Sequence, residues 1–226
     1  MIKLYVDDAV RLVRKNMDEV DSGVELMLEQ PETTALDEVI KRTIPEAVNA
    51  ANRLTAAEKL QGLAVESTDY SNLTINSDGS VSFQIDESKT GPWLRLVSLK
   101  AADSGVVLTE VTPEASAEGR KQLNPYVRGR ADDPALVGLQ GTRLKFKYYS
   151  LKSETVQSHP ANPFDVFTYM PECELERGRL YGQDAQGAHY LLSDGLLDAV
   201  IYQLTALVLT VFGLTEKAQI YLNNIK

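Results

Sequence analysis

LTINSDGSVSFQI, residues 73–85, decides the fold class. Leu73 and Ile75 stand before Asp78-Gly79, and Val81, Phe83 and Ile85 follow it at every second position. Alternation of that kind puts the apolar side chains on one face of a strand pair, and Asp-Gly suits the tight turn because glycine tolerates positive φ. The stretch predicts a β-hairpin with one buried face.

Outward from it, both ends of the chain change to a helical period. Upstream, Val6, Val10, Val13 and Met17 recur at steps of three and four, with Asp7 and Asp8 in the first turn, which predicts a helix over residues 4–19. Leu36, Ile40, Ile44, Ala47, Val48, Ala51 and Leu54 keep one apolar face across two segments. The join at Thr43-Ile44-Pro45-Glu46 reads as a kink or a restart, with Thr43 as cap and Glu46 reaching back. Thr55 and Glu58 repeat the capping-box spacing. Downstream, Trp93–Lys100 pairs with Val106–Val111 around Asp103-Ser104-Gly105, and Leu144, Phe146 and Tyr148 alternate with Arg143, Lys145, Lys147 and Tyr149. Between them, 112–139 is rich in Pro and Gly and reads as a long excursion with one helical turn at Ala117–Leu123. Residues 153–192 give only one clear strand, Val166–Met170. Ser193 then stands as a cap before the broad apolar stripe from Leu196 to Val211, which Gly213 stops, and Ala218, Tyr221, Leu222 and Ile225 form a closing helix.

The expected fold is therefore α+β, with N- and C-terminal helices packed beside a mostly antiparallel central β-sheet. It reads as one domain over 1–226, helical in 1–64 and 193–226 and β-rich with long loops in 65–192.

Composition narrows the function. The chain has 226 residues, and 32 acidic against 23 basic side chains leave a net charge of −9, which argues against a protein that grips DNA or acidic lipid with its whole surface. A lone cysteine, Cys173, cannot form an internal disulfide, and with two histidines it is too little for a structural zinc site, so a reducing compartment is expected. The N-terminus lacks the apolar run of a signal peptide, so synthesis in the cytosol is expected. Asp198, Gln203, Thr205 and Thr210 interrupt 195–214, which reads as a buried core helix rather than a membrane span.

Short catalytic signatures are absent: no phosphate loop, dinucleotide fingerprint, nucleophile elbow or zinc helix occurs. Cys173 with His189 or His159 is the only thiol–imidazole combination for a hydrolase or transferase, and an inert thiol is the plainer reading. Glu172, Glu174 and Glu176 have the chemistry of oxygen ligands for a hard cation, but alternating glutamates also fit an exposed strand edge that resists pairing. Asp132-Asp133 before Pro134 reads as a turn. No catalytic residue, cofactor or metal is assigned.

Charge is distributed unevenly. Residues 119–152 hold eight basic side chains against two acidic ones, leaving +6, so the rest of the chain carries −15. Arg143, Lys145 and Lys147 share one strand face, and Arg120, Lys121, Arg128 and Arg130 complete the island. Such segregation points to a charged partner.

The order of features resembles the head–tail connector proteins of tailed bacteriophages, the adaptor, ring or neck proteins beneath the portal, particularly those of phages of Bacteroides-type hosts. The resemblance lies in helical segments ending at Ile44-Pro45-Glu46-Ala47, the hairpin at Asp78-Gly79-Ser80, and Pro92-Trp93-Leu94-Arg95-Leu96-Val97-Ser98-Leu99-Lys100. Asn124-Pro125-Tyr126-Val127-Arg128-Gly129, the strand 144–150 and the terminal helix around 199–206 continue it. It implies a non-enzymatic virion component made in the host cytoplasm, which docks on the portal, forms a homo-oligomeric ring and lines part of a DNA channel. Arg120, Lys121, Arg128, Arg130, Arg143, Lys145 and Lys147 are then the expected protein-interface residues. The alternative is a binding module that contacts nucleic acid or an acidic protein through residues 119–152.

Overall fold

The computed structural model describes residues 1–20, 33–75, 81–101, 107–109, 111–123, 135–138, 145–149 and 164–225. In chain order the elements are β1 (Ile2–Tyr5), α1 (Val6–Val20), α2 (Thr33–Leu54), α3 (Ala57–Leu60), β2 (Val65–Ser67), β3 (Tyr70–Ile75), β4 (Val81–Ile85), α4 (Glu87–Thr90) and β5 (Trp93–Ala101). They continue with β6 (Val107–Leu108), β7 (Thr112–Pro113), α5 (Ala117–Leu123), β8 (Ala135–Gly138), β9 (Lys145–Tyr149), β10 (Phe164–Pro171), β11 (Tyr181–Asp184), β12 (Gly187–Leu192), α6 (Leu197–Val211) and α7 (Thr215–Asn223). The fold is α+β, with terminal helices and strands that pair mostly antiparallel. Internal contacts divide the chain into two compact units, residues 1–63 with 171–226 and residues 64–170.

In the first unit, α6 packs against α2, α7 and α1. Val13, Ile40, Ile44, Ala47, Val48, Val200, Leu204 and Val208 are fully buried there. α2 runs unbroken through Pro45, so of the kink or restart expected there the restart does not occur. An interior proline costs about 3 kcal/mol, whereas each fully buried aliphatic side chain contributes roughly 1.5–3 kcal/mol, so the buried face of α2 outweighs the lost backbone bond. Thr43 does not cap: its hydroxyl donates to the Val39 carbonyl one turn back, at 2.7 Å. Thr55 donates in the same way to Ala51 at 2.8 Å, and the short helical turn expected after it is α3, which starts after Ala56. Ser193 likewise does not cap α6; it donates to the Lys59 carbonyl. The stop at Gly213 is as expected: with φ +77°, its N–H reaches the Thr210 carbonyl while that of Leu214 reaches Leu209, the paired bonds of a left-handed helix terminus. Among the described residues no helix is long and apolar enough to cross a membrane.

The same unit holds a three-stranded sheet ordered β1-β12-β11. β1 is a strand where the sequence predicted the start of a helix; it pairs antiparallel with β12 from Ile2 opposite Leu192 to Tyr5 opposite His189. The β11–β12 hairpin, drawn from the segment that was hard to read, therefore sits with the terminal helices.

The second unit contains a four-stranded sheet, β2-β10-β5-β6, and a five-stranded one, β3-β4-β9-β8-β7. The hairpin predicted from residues 73–85 is present as the antiparallel pair β3–β4, its Asp78-Gly79 turn lying outside the described residues. Val81, Phe83 and Ile85 from one sheet and Trp93, Leu96, Leu99, Phe167 and Tyr169 from the other form one buried cluster. Tyr169 fits this apolar core because its hydroxyl donates to the Thr90 carbonyl at 2.8 Å, which satisfies the one polar atom the ring would otherwise bury unpaired.

Candidate interaction surface

Of the basic island of 119–152, the described cations lie on α5 (Arg120, Lys121) and on β9 of the five-stranded sheet (Lys145, Lys147). α5 packs against β7 and β8. Ser116 sets its start: its hydroxyl donates to the Pro113 carbonyl at 2.7 Å and accepts the Gly119 N–H at 2.9 Å. A Cβ at Gly119 would stand 2.2 Å from the Pro113 carbonyl oxygen, so only glycine lets the helix seat this closely. α5 presents Arg120 and Lys121 to solvent, and Lys121 pairs with Glu118 at 2.7 Å.

β9 lies inside the sheet rather than at its edge, between β4 and β8. The register sets Lys145 opposite Gln84 and Lys147 opposite Ser82, while Phe146 and Tyr148 oppose the buried Phe83 and Val81. On β8, Val137 stands opposite Lys147 and is fully buried. Of the seven expected interface residues, Arg120 and Lys121 lie on α5 and Lys145 and Lys147 on β9, while Arg128, Arg130 and Arg143 lie outside the described residues.

Elsewhere the structure settles the chemistry of the candidate groups. Burial, with the nearby carboxylates of Glu172 and Glu174 adding to it, pushes the Cys173 thiol up to about 12. It stays protonated at neutral pH, which makes it a poor nucleophile. Asn49 on α2 pins the same residue by its backbone, donating from Nδ2 to the Cys173 carbonyl at 3.0 Å and accepting the Cys173 N–H at 2.8 Å. Glu174 pairs with Arg177 at 2.8 Å. Among the described residues no three His, Cys, Asp or Glu side chains form a metal-holding group. His159 lies outside the described residues.

His189 is buried under Tyr5, its Nδ1 3.7 Å from Asp184 Oδ2. Asp184 ties β1 to the β11–β12 hairpin: Lys3 Nζ donates to it at 2.7 Å, the Tyr5 hydroxyl at 3.2 Å and the Gln186 N–H at 2.9 Å. The Lys3 hydrogen bond, first among these, holds its carboxyl at about 2, against an ordinary 3.8. A carboxyl whose folded pKa is depressed stabilises the fold above its unfolded pKa, and that contribution fades as pH falls through the folded value. Urea titrations of wild type and Asp184→Asn should therefore differ by a constant amount above pH 4 and converge between about pH 4 and 2. A difference that does not change over that range would remove Asp184 from the acid response.

No protein-family model matches the chain, and no curated protein matches it at a significant level.

The sequence reading missed two features of the first unit. The cations Arg11, Arg14 and Lys15 of α1 and Lys41 of α2 line one groove with Asp7, Val10 and Asp37. The loop 172–178 is fixed by Asn49 and Tyr190. The i, i+4 pairs Arg11/Lys15 and Asp37/Lys41 were the signal available for the groove.

Proposed function

We propose that the protein is a non-enzymatic structural subunit of a tailed-phage virion, a head–tail connector that docks on the portal, forms a homo-oligomeric ring in the neck and contributes to the channel for DNA. The observation that carries this reading is charge segregation: a +6 stretch in a chain that carries −15 elsewhere. The first compact unit, with nineteen acidic and twelve basic residues, is itself at −7. A head-to-tail ring joins two different sides of each subunit, and opposite charge supplies complementary sides. A conduit must also release its cargo, and an acidic surface does not hold DNA.

The test is charge reversal in the basic stretch. Arg143→Glu with Lys147→Glu should reduce recovery of the complex with the portal protein of the same genome by about tenfold or more, the effect of losing roughly 1.4 kcal/mol or more of contact energy. Far-UV circular dichroism of the isolated variant should be unchanged. Wild-type recovery of the variant would remove the interface assignment. Steep, salt-dependent retention of duplex DNA by the wild type would instead favour a nucleic-acid-binding module.

A further inference from the structure

The first unit carries a cationic groove and, on another side of the same helix, an acidic loop with an apolar tip. The groove has a volume of about 660 Å³ and is lined by Arg11, Arg14, Lys15 and Lys41 with Val10, Asp7 and Asp37. Arg14 is held in place by Asp37, through Nε at 2.9 Å and a terminal nitrogen at 2.8 Å, and Arg11 by Asp8 at 2.8 Å. With Asp8 counted beside its partner Arg11, four cations stand against three carboxylates, which leaves the groove one positive charge inside a unit of net charge −7. Duplex DNA is a poor match for it, because the phosphates would meet Asp7 and Asp37 and the negative field of the unit. An acidic polypeptide with an apolar side chain to set on Val10 is a good one.

The chain itself offers that polypeptide. In Glu174-Leu175-Glu176, Leu175 is 45% exposed between two carboxylates. The loop is pre-ordered: Asn49 holds both backbone groups of Cys173, the Tyr190 hydroxyl accepts the Glu176 N–H at 3.3 Å, and Arg177 holds Glu174. Glu176 sits at φ +54°, a left-handed conformation that a non-glycine residue adopts at a cost. Groove and loop do not face each other within one molecule. The loop residues Glu172 and Leu175 line a separate cleft with Glu46 and Asn49 of α2. At 100° and 1.5 Å per residue, those two lie roughly 130° around α2 and about 13 Å along it from the groove residues Asp37 and Lys41.

We propose that the groove between α1 and α2 receives the 174–176 loop of a second copy of this chain, Leu175 against Val10 and Glu176 toward Lys15 and Lys41. The contact is heterologous, groove to loop, so each copy keeps one of each unused and the assembly grows head to tail until it closes. This deepens the connector reading, on which it rests, by naming a subunit–subunit contact distinct from the basic stretch 119–152. Because the loop is already ordered, association costs little further conformational entropy.

Lys41 and Glu176 are both exposed, so Lys41→Glu and Glu176→Lys leave the core untouched. Native mass spectrometry of the full chain, alone and co-expressed with the portal protein of the same genome, reads the result. Each variant alone should lose the oligomers that the wild type forms in either setting. An equimolar mixture of the two should regain assembly, because the intact loop of the Lys41→Glu copy meets the intact groove of the Glu176→Lys copy, and the reversed loop of the latter meets the reversed groove of the former. Variants that assemble like the wild type on the portal would overturn the groove-and-loop contact while leaving the connector reading in place. A wild type that is monomeric in both settings would overturn both, and a Lys41→Glu variant whose sole loss is duplex-DNA binding would assign the groove to nucleic acid.

Discussion

Trp93→Ala should cost about 3–5 kcal/mol, the range for removing a large aromatic side chain from a packed interior. Trp93 is 1% exposed and belongs to the cluster in which Val81, Phe83 and Ile85 of one sheet meet Leu96, Leu99, Phe167 and Tyr169 of the other. The indole is the largest side chain there, and the strands around it, held in hydrogen-bonded register, close only partly over the cavity it would leave. Since a domain's whole stability is about 5–15 kcal/mol, the variant stands close to the limit of folding. It is the only tryptophan in the chain. Its fluorescence therefore reports unfolding of residues 64–170 in the wild type, and urea titration followed by far-UV circular dichroism gives the comparison with the variant. A loss below about 1 kcal/mol would mean that the two sheets do not share a core around this residue.

The second large effect is expected at Asn49. Its side-chain amide closes two hydrogen bonds with the backbone of Cys173, and all the groups involved are buried. Asn49→Ala leaves the Cys173 N–H and carbonyl without that partner. An unsatisfied buried group costs about 1–3 kcal/mol, so the pair predicts a loss of about 2–6 kcal/mol. Cys173→Ala should be far milder, because it keeps the backbone groups that Asn49 binds and removes only a protonated thiol. Hydrogen exchange separates the two: in Asn49→Ala the 172–178 loop should lose protection before α6 does, whereas uniform loss would show that Asn49 supports the helices in general. The same variant should weaken assembly if the loop is the element that enters the groove.

These two sites differ in how legible they are in the sequence. The core around Trp93 follows from period-two alternation in 81–85 and from the apolar run 93–99, and the helices follow from their apolar stripes. Burial of a face leaves a periodic trace, and that trace is what the sequence carries. Asn49 leaves none, because a polar residue on a helix gains its role only when a distant backbone segment comes alongside it. β1 escaped for a related reason: four residues are too few to establish a period, and pairing with β12 makes them a strand. The cap assignments at Thr43 and Ser193 failed because each hydroxyl found a carbonyl acceptor, that of Thr43 one turn back in its own helix. Local capping chemistry yields where buried faces on both sides of a proline or threonine hold the helix continuous.

The candidate surface was legible as charge and not as shape. Counting residues located the basic stretch at 119–152, and the sheet register sets Lys145 opposite Gln84 and Lys147 opposite Ser82. The groove was not legible, since its cations are scattered over 11–41 among acids of greater number. Only the packing of α1 on α2 brings them together.

The central claim is that this chain is a ring-forming connector subunit, and native mass spectrometry of the unmodified protein co-expressed with its portal protein tests it most directly. The account predicts a stoichiometric complex holding many copies of this chain, weakened as salt is raised because the docking surfaces are charged. A protein that stays monomeric and leaves the portal unbound at low salt would contradict it.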